Sequence, residues 1–251
     1  MALPTRAVSL PATALSAAAL SASALLLLVG CTAGPGATAP SSTPLPSSSS
    51  SADGGDDLDD VEATILDEGR LFAVVTWGSS TCIPQVDSVS ASGQTVSVEL
   101  IDSGDADAVC TADMAQRASI GGLPEGVDPT QEITLQVTYG DVTDDVDLDG
   151  DPSFTGSPGS STEYTPSAGW FDDGALVLLT WGSSSCPPIV DGVEGSGATG
   201  TVTFAADDRV CTMDMAPRAT IISFGDDQVE DDDFTLNLVG DGLDGTVRVR
   251  G

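Results

Sequence analysis

The sequence predicts an all-β protein of two tandem small domains, each a β-sandwich or partly closed barrel with one disulfide. Its composition is rich in Gly (28) and Pro (15) and only 4% aromatic, which favours short strands joined by turns over long helices. A long segment occurs twice, and each copy contains two cysteines. Short segments in both copies alternate apolar and polar residues, the period of a strand with one buried face.

The repeat is defined by segments around the cysteines, in which 76–84 recurs as 180–188 and 109–117 recurs as 210–218. The first pair of segments is 104 residues apart and the second 101, so the first copy has the longer loop between its cysteines. Two repeated segments at nearly the same offset indicate a duplicated domain. We therefore place the domains at 61–150 and 170–251, with the Pro-, Ser-, Gly- and Thr-rich segment 151–169 as a linker.

About six short strands are expected in each copy. The segments 71–76 and 175–180 are continuously apolar, as expected of a central strand buried on both faces. Strands with one buried face are expected within 96–100, 133–137 and 146–148, and within 202–204, 234–238 and 247–249. Gly- and Asp-rich turns such as 241–245 separate them.

The four cysteines of the two copies are expected to form a covalent staple in each domain. Four cysteines allow three pairings. The repeat selects Cys82 with Cys110 and Cys186 with Cys211, because each copy then owns one equivalent pair. A redox-active or metal-binding dithiol is the alternative, which the wide spacing, the lack of a CxxC motif and the lack of a third ligand disfavour.

The charge and the missing residue types exclude several classes of function. Asp+Glu 39 against Lys+Arg 7 gives a net charge of -32, which would repel nucleic acid and anionic lipid headgroups. The basic residues are all Arg, and the chain has neither Lys nor His, so a Ser-His-Asp triad, a Schiff-base lysine and an imidazole zinc site are impossible. A glycosidase with paired carboxylates is the enzymatic alternative, but no acidic residue lies in a pocket-like segment, and we expect no catalytic site.

Two tryptophans shared by the copies are candidate recognition residues. Trp77 and Trp181 end the continuously apolar strand, five residues before a cysteine. The favoured interpretation is a large side chain packed over the disulfide, and the alternative is an exposed stacking platform for sugars. In immunoglobulin domains the corresponding Trp lies between the cysteines, whereas here it precedes both, so that family is not assigned.

Two repeated pairs of charged residues are further candidates. Asp113 and Arg117, like Asp214 and Arg218, are four residues apart, which predicts an ion pair on a helical turn. Such a pair would brace the turn after the second cysteine. Its functional alternative is a charged recognition spot repeated once per domain.

Two loop motifs have a functional alternative to a plain structural role. The segment 145–150 resembles the first half of a calcium loop, but Gly156 occupies position twelve, where Glu is needed, and the equivalent segment 246–251 carries arginines. We therefore expect no metal and no cofactor. The loops 79–84 and 183–188 each contain Cys followed by Pro, and rigid loops of that type suit protease inhibitors, although a plain strand connection is favoured.

The N-terminal residues 1–30 have the pattern of an export signal. A free amino terminus and Arg6 precede an apolar stretch, and Leu28-Val29-Gly30-Cys31 resembles the lipobox of bacterial lipoproteins. The resemblance implies that Cys31 receives diacylglycerol on its thiol, becomes the N-terminus and is acylated again, for example by palmitate. An uncleaved transmembrane anchor at 11–29 is the alternative, but that stretch is Ala- and Ser-rich.

The segment 31–60 is Pro-, Ser-, Thr- and then Asp-rich, which predicts a disordered tether. The chain is thus similar to uncharacterised secreted or lipid-anchored proteins of high-GC bacteria, a resemblance that implies no activity. We expect an extracytoplasmic lipoprotein held on the membrane by its lipid, acting as a binding or structural module for a cell-wall polymer or an envelope protein. A secreted protease inhibitor is the alternative function.

Overall fold

The computed structural model describes residues 61–104, 109–225 and 228–251, which belong to one compact unit that spans Ala52–Gly251. The predicted signal peptide, Cys31 and the tether lie outside the described residues. Within the described ranges, no helix is long and apolar enough to cross a membrane. The predicted all-β class is confirmed, since strands and one 3-10 turn, Asp67–Gly69, account for the regular structure described.

Each copy of the repeat forms seven strands in the described part of the chain, one more than expected. The first half contains β1 Glu62–Leu66, β2 Leu71–Gly78, β3 Gln85–Ser92, β4 Thr95–Ile101, β5 Ala115–Gly122, β6 Ile133–Tyr139 and β7 Val142–Leu148. The second half contains β8 Ser167–Asp172, β9 Ala175–Gly182, β10 Ile189–Ser196, β11 Thr199–Ala205, β12 Ala216–Ser223, β13 Thr235–Val239 and β14 Gly245–Arg250. Strands β3 and β10 carry few buried side chains because each lies at a sheet edge.

The two halves realise the two predicted architectures. In the first half, the sheet β1-β2-β5 and the sheet β3-β4-β6-β7 are separate and enclose an apolar core, which makes a sandwich. In the second half, β14 pairs in parallel with β8 through Val249 with Ala168 and Arg250 with Gly169. That pairing joins the equivalent strands into one sheet ordered β10-β11-β13-β14-β8-β9-β12, a partly closed barrel.

The central strands β2 and β9 are buried on both faces, as their continuously apolar sequences predicted. Phe72 and Val74 point into the core of the first half. The alternate residues Ala73 and Val75 point the other way, into an apolar cluster that both halves build. Its buried members are Leu66, Ala73 and Val75 of the first half and Phe171, Ala175, Val177 and Leu179 of the second. The other half therefore covers the second face of each central strand.

The segment 151–169, predicted to be a linker, packs on the first half. The Phe154 side chain belongs to the core of the first half, and the Gly156 N–H donates to the Glu68 carbonyl oxygen at 2.8 Å. Arg250 from the last strand forms a salt bridge with Asp151 at 2.9 Å and lies over the Phe154 ring. Strand β8 begins at Ser167, so the second half starts within the predicted linker.

Candidate functional site

The two disulfide loops form equivalent structures at one end of each half, which we call tips. Tip 1 comprises residues 79–84 and 109–114, and tip 2 comprises residues 183–188 and 210–215. The predicted pairings are confirmed, with Cα atoms 5.6 Å apart in Cys82–Cys110 and 5.7 Å apart in Cys186–Cys211. Asp207 lies close to Cys186 and Cys211, so the three residues have potential metal-ligand atoms near one another. Both sulfurs belong to the disulfide, however, and neither is available as a thiolate ligand.

An arginine side chain braces each tip from inside the fold, and it is buried in tip 1 and partly buried in tip 2. Arg117 lies in β5 and is only 6% exposed. Its guanidinium donates to the carbonyl oxygen of Cys82 at 2.7 Å and to that of Trp77 at 3.0 Å. The equivalent Arg218 donates to the carbonyl oxygens of Cys186 and Trp181 at 3.0 and 2.9 Å. Each guanidinium thus ties the loop before the first cysteine to the strand after the second.

The approach of these arginines explains the glycine in each repeated Trp-Gly dipeptide. A Cβ atom on Gly78 would lie 2.6 Å from Cζ of Arg117, and one on Gly182 would lie 2.8 Å from Cζ of Arg218. Any larger residue would push the guanidinium away from the loop carbonyls. The dipeptide in both copies is therefore part of the arginine brace.

The predicted ion pair between Asp113 and Arg117 is wrong, and so is its counterpart in tip 2. Arg117 lies in strand β5, and Asp113 precedes that strand by two residues, so the two side chains do not share a helical turn. Asp113 instead accepts hydrogen bonds at 3.3 Å from the Ser80 backbone N–H. Asp214 accepts from the Ser184 N–H at 3.2 Å. Each aspartate therefore braces the loop before the first cysteine from outside.

Hydroxyl groups extend this outer brace. In tip 1, Ser79 Oγ lies 2.8 Å from Thr111 Oγ1, and the Thr111 N–H donates to Thr81 Oγ1 at 3.0 Å. The Thr111 hydroxyl also donates to Asp113. The same bonds connect Ser183, Ser185, Thr212 and Asp214 in tip 2.

The outer brace also affects the ionisation of its aspartates. Side-chain hydrogen bonds, first from Thr111 and then from Ser80, lower the pKa of Asp113 to about 2. Thr212 and Ser184 lower the pKa of Asp214 to about 2 in the same way. Both tips therefore carry a fixed negative charge at neutral pH.

The tips expose apolar side chains to solvent. Val109 is 93% exposed, and Val210 and Met213 are completely exposed. Eleven large apolar side chains are exposed in the described part of the chain, and six of them lie in the tips. The six are Ile83, Val109, Met114, Val210, Met213 and Met215. A sequence signal existed, because apolar residues flank the second cysteine of both copies where no alternating strand pattern accounts for them.

The two candidate tryptophans lie at the base of the tips, on the strand faces that point toward the other half. Trp181 packs against the shared apolar cluster, and its ring makes an edge contact with Tyr164 at a centroid distance of 5.2 Å. Trp77 is half-buried on the same face of β2 as Val75. The neighbours seen at Trp181 are therefore the shared cluster and the chain before β8.

A cleft of about 400 Å³ is lined by residues of β1, β7 and β8 and by the end of β14. Carboxylates line it, including Asp149 and Asp231, together with Arg250. The segment that resembled a calcium loop borders this cleft, but Val142–Leu148 is strand β7. Its alternate carboxylates therefore follow a strand face, and Asp147 accepts from the Thr134 hydroxyl at 2.8 Å.

No protein family model, curated protein or solved structure matches this chain. The class of protein is therefore described by its architecture. It is an all-β protein of two halves, each with its own disulfide and its own apolar core, which pack together through the shared apolar cluster. Each half ends in a braced tip with exposed apolar side chains.

Proposed function

We propose that this chain is a lipid-anchored protein of the bacterial cell envelope that has no catalytic site and binds other envelope components through its tips. One observation carries the proposal: the same disulfide and the same inner and outer braces hold exposed apolar side chains in both halves. Clustered apolar side chains on a protein surface are typical of interaction sites. The two disulfides indicate an oxidising, extracytoplasmic environment.

The braces suit a binding role because they remove freedom before a partner arrives. The Ser80 N–H and the Cys82 carbonyl oxygen are each hydrogen-bonded to a side chain that follows the second cysteine, Asp113 and Arg117 respectively. A loop ordered in this way loses less entropy on binding than a mobile one. The shared apolar cluster also joins both tips to one body, so a partner that engages both gains from a high effective concentration.

The anchor part of the proposal depends on Cys31. Four of the five cysteines form the two disulfides, which leaves Cys31 as an odd thiol in an exported chain. Lipidation at the lipobox-like sequence accounts for it. Two or three acyl chains would hold the protein stably on the membrane.

Site-specific photo-crosslinking in intact cells tests the role of the tips. A photoreactive amino acid is placed at Val109, at Val210 or at the control position Val239, which is 44% exposed outside the tips. We expect the same crosslinked product from Val109 and Val210 and none from Val239. Equal products from all three positions, or products from Val239 alone, would contradict the proposal.

Protease inhibition through the Cys-Pro loops is the second candidate function. It is favoured by Ile83, which is 43% exposed between Cys82 and Pro84 in the braced part of tip 1. Incubation with a panel of serine and metalloproteases tests it. If the protease is slowed and the loop stays intact, inhibition is supported. If the protease simply cuts the loop and is not slowed, inhibition is excluded.

A further inference from the structure

We propose that the tips recognise a cationic amphipathic partner, meaning a peptide or protein segment that presents Lys or Arg beside apolar side chains. This inference rests on the proposed binding function and specifies the chemistry of the ligand. It depends on the apolar surface of the tips and on the excess of carboxylates over arginines in the chain.

The apolar part of the surface includes flexible as well as branched side chains. Val210 and Met213 are three residues apart in tip 2, and both are completely exposed. Met114 in tip 1 and Met215 in tip 2 are equivalent residues, each 60% exposed. Methionine adapts its shape to different apolar partners. Such a surface suits the apolar face of a peptide better than a single rigid small molecule.

Every arginine in the described ranges is already engaged within the protein. Arg117 and Arg218 are consumed by the inner braces. The other four form salt bridges: Arg70 with Asp67, Arg209 with Asp207, Arg248 with Asp233, and Arg250 with Glu68 and Asp151. With Asp+Glu 39 against Lys+Arg 7 over the whole chain, carboxylates dominate the field that a partner meets.

Negative charge also lies close to the apolar side chains. Asp113 and Asp214 belong to the tips themselves, and hydrogen bonds hold their carboxylates in place. Asp241 is close enough to act electrostatically on both Arg209 and Arg218 beside tip 2. A cationic group that approaches Val210 or Met213 therefore meets acidic neighbours whose charge is only partly compensated.

This charge distribution selects among apolar ligands. An anionic bilayer would be repelled, and a neutral bilayer would gain nothing from the acidic field. A cationic amphipathic segment would gain from both electrostatic attraction and apolar burial, because its basic groups meet carboxylates while its apolar face covers the exposed tip residues. Its affinity should therefore fall as salt screens the charges.

Fluorescence anisotropy with defined peptides tests the inference. The protein is the full mature chain with Cys31→Ser, which avoids detergent. The probes are a labelled amphipathic peptide of Lys and Leu, the same peptide with Gln in place of Lys, and phosphatidylcholine vesicles. The tip variant is Val109→Asp with Val210→Asp, which places one charge in each tip at equivalent exposed positions. The matched control is Val142→Asp with Val239→Asp, because those side chains are 50% and 44% exposed outside the tips.

We expect the Lys/Leu peptide to bind at least about tenfold more tightly than the Gln/Leu peptide. The tip variant should weaken its binding by about tenfold or more, although that variant adds negative charge, and the control variant should not weaken it. Unchanged thermal unfolding of both variants is expected because the substituted side chains are exposed.

Three results would overturn the inference. Equal, tip-dependent binding of the Gln peptide or of the neutral vesicles would refute the cationic partner and leave binding through the tips intact. Equal binding of the Lys/Leu peptide by the tip and control variants would mean that net charge alone attracts it, which would refute the tips as the site as well. A complete lack of binding would refute the cationic partner, and the crosslinking experiment would then decide the proposed function separately.

Discussion

The inner arginine brace provides the sharpest test of how the tips are held. In Arg117→Ala, the carbonyl oxygens of Cys82 and Trp77 lose charge-assisted hydrogen bonds of 2.7 and 3.0 Å. Each such bond contributes about 1.5 kcal/mol or more, so the two together contribute about 3 kcal/mol. Arg117 is also almost fully buried, so its removal leaves a cavity as well. We therefore expect a loss of about 3 kcal/mol in the free energy of unfolding.

Urea unfolding followed by tryptophan fluorescence measures this loss, and Arg209→Ala provides the control. Arg209 is half exposed and pairs with Asp207, and an exposed ion pair contributes little to stability because solvent screens it. Arg117→Lys should recover only part of the stability, because an ammonium group lacks the fork geometry. If Arg117→Ala destabilised the protein no more than Arg209→Ala, the brace would not hold the tip as we describe.

Three further predictions concern the outer brace, the shared cluster and the anchor. The pKa of Asp113 is about 2 in the folded protein against an ordinary 3.8, so its contribution to stability is present above about pH 4 and is lost as the pH falls toward 2; Asp113→Asn should flatten the dependence of the unfolding midpoint on pH in that range. Leu179→Ala should lower the free energy of unfolding by about 2 to 4 kcal/mol, because Leu179 is fully buried in the shared apolar cluster. Calorimetry should still show one unfolding transition. Two separated transitions in the unsubstituted protein would contradict the packing of both halves through that cluster. Cys31→Ser should abolish fatty-acid labelling and membrane retention while the disulfides still form, and persistent labelling would exclude Cys31 as the lipid site.

The disulfide pairing could be predicted because duplication supplies a constraint that a single domain lacks. Once the segments around Cys82 and Cys186 are recognised as copies, only one pairing treats both copies alike, and the structure contains that pairing. The prediction for Asp113 and Arg117 failed because spacing indicates a contact only when the secondary structure is known. Four residues bring two side chains together on a helix but separate them along a strand.

The all-β class and the doubly buried central strands followed from the sequence, because periodicity reports how many faces of a strand avoid water. Periodicity does not say what covers each face. Val75 and Val177 are equally apolar in the sequence, but only the tertiary structure shows that both lie in the apolar cluster between the two halves. For the same reason, the sequence did not predict which apolar side chains the tips expose. Val109 and Val75 are the same residue type, but the fold leaves Val109 exposed to solvent and buries Val75.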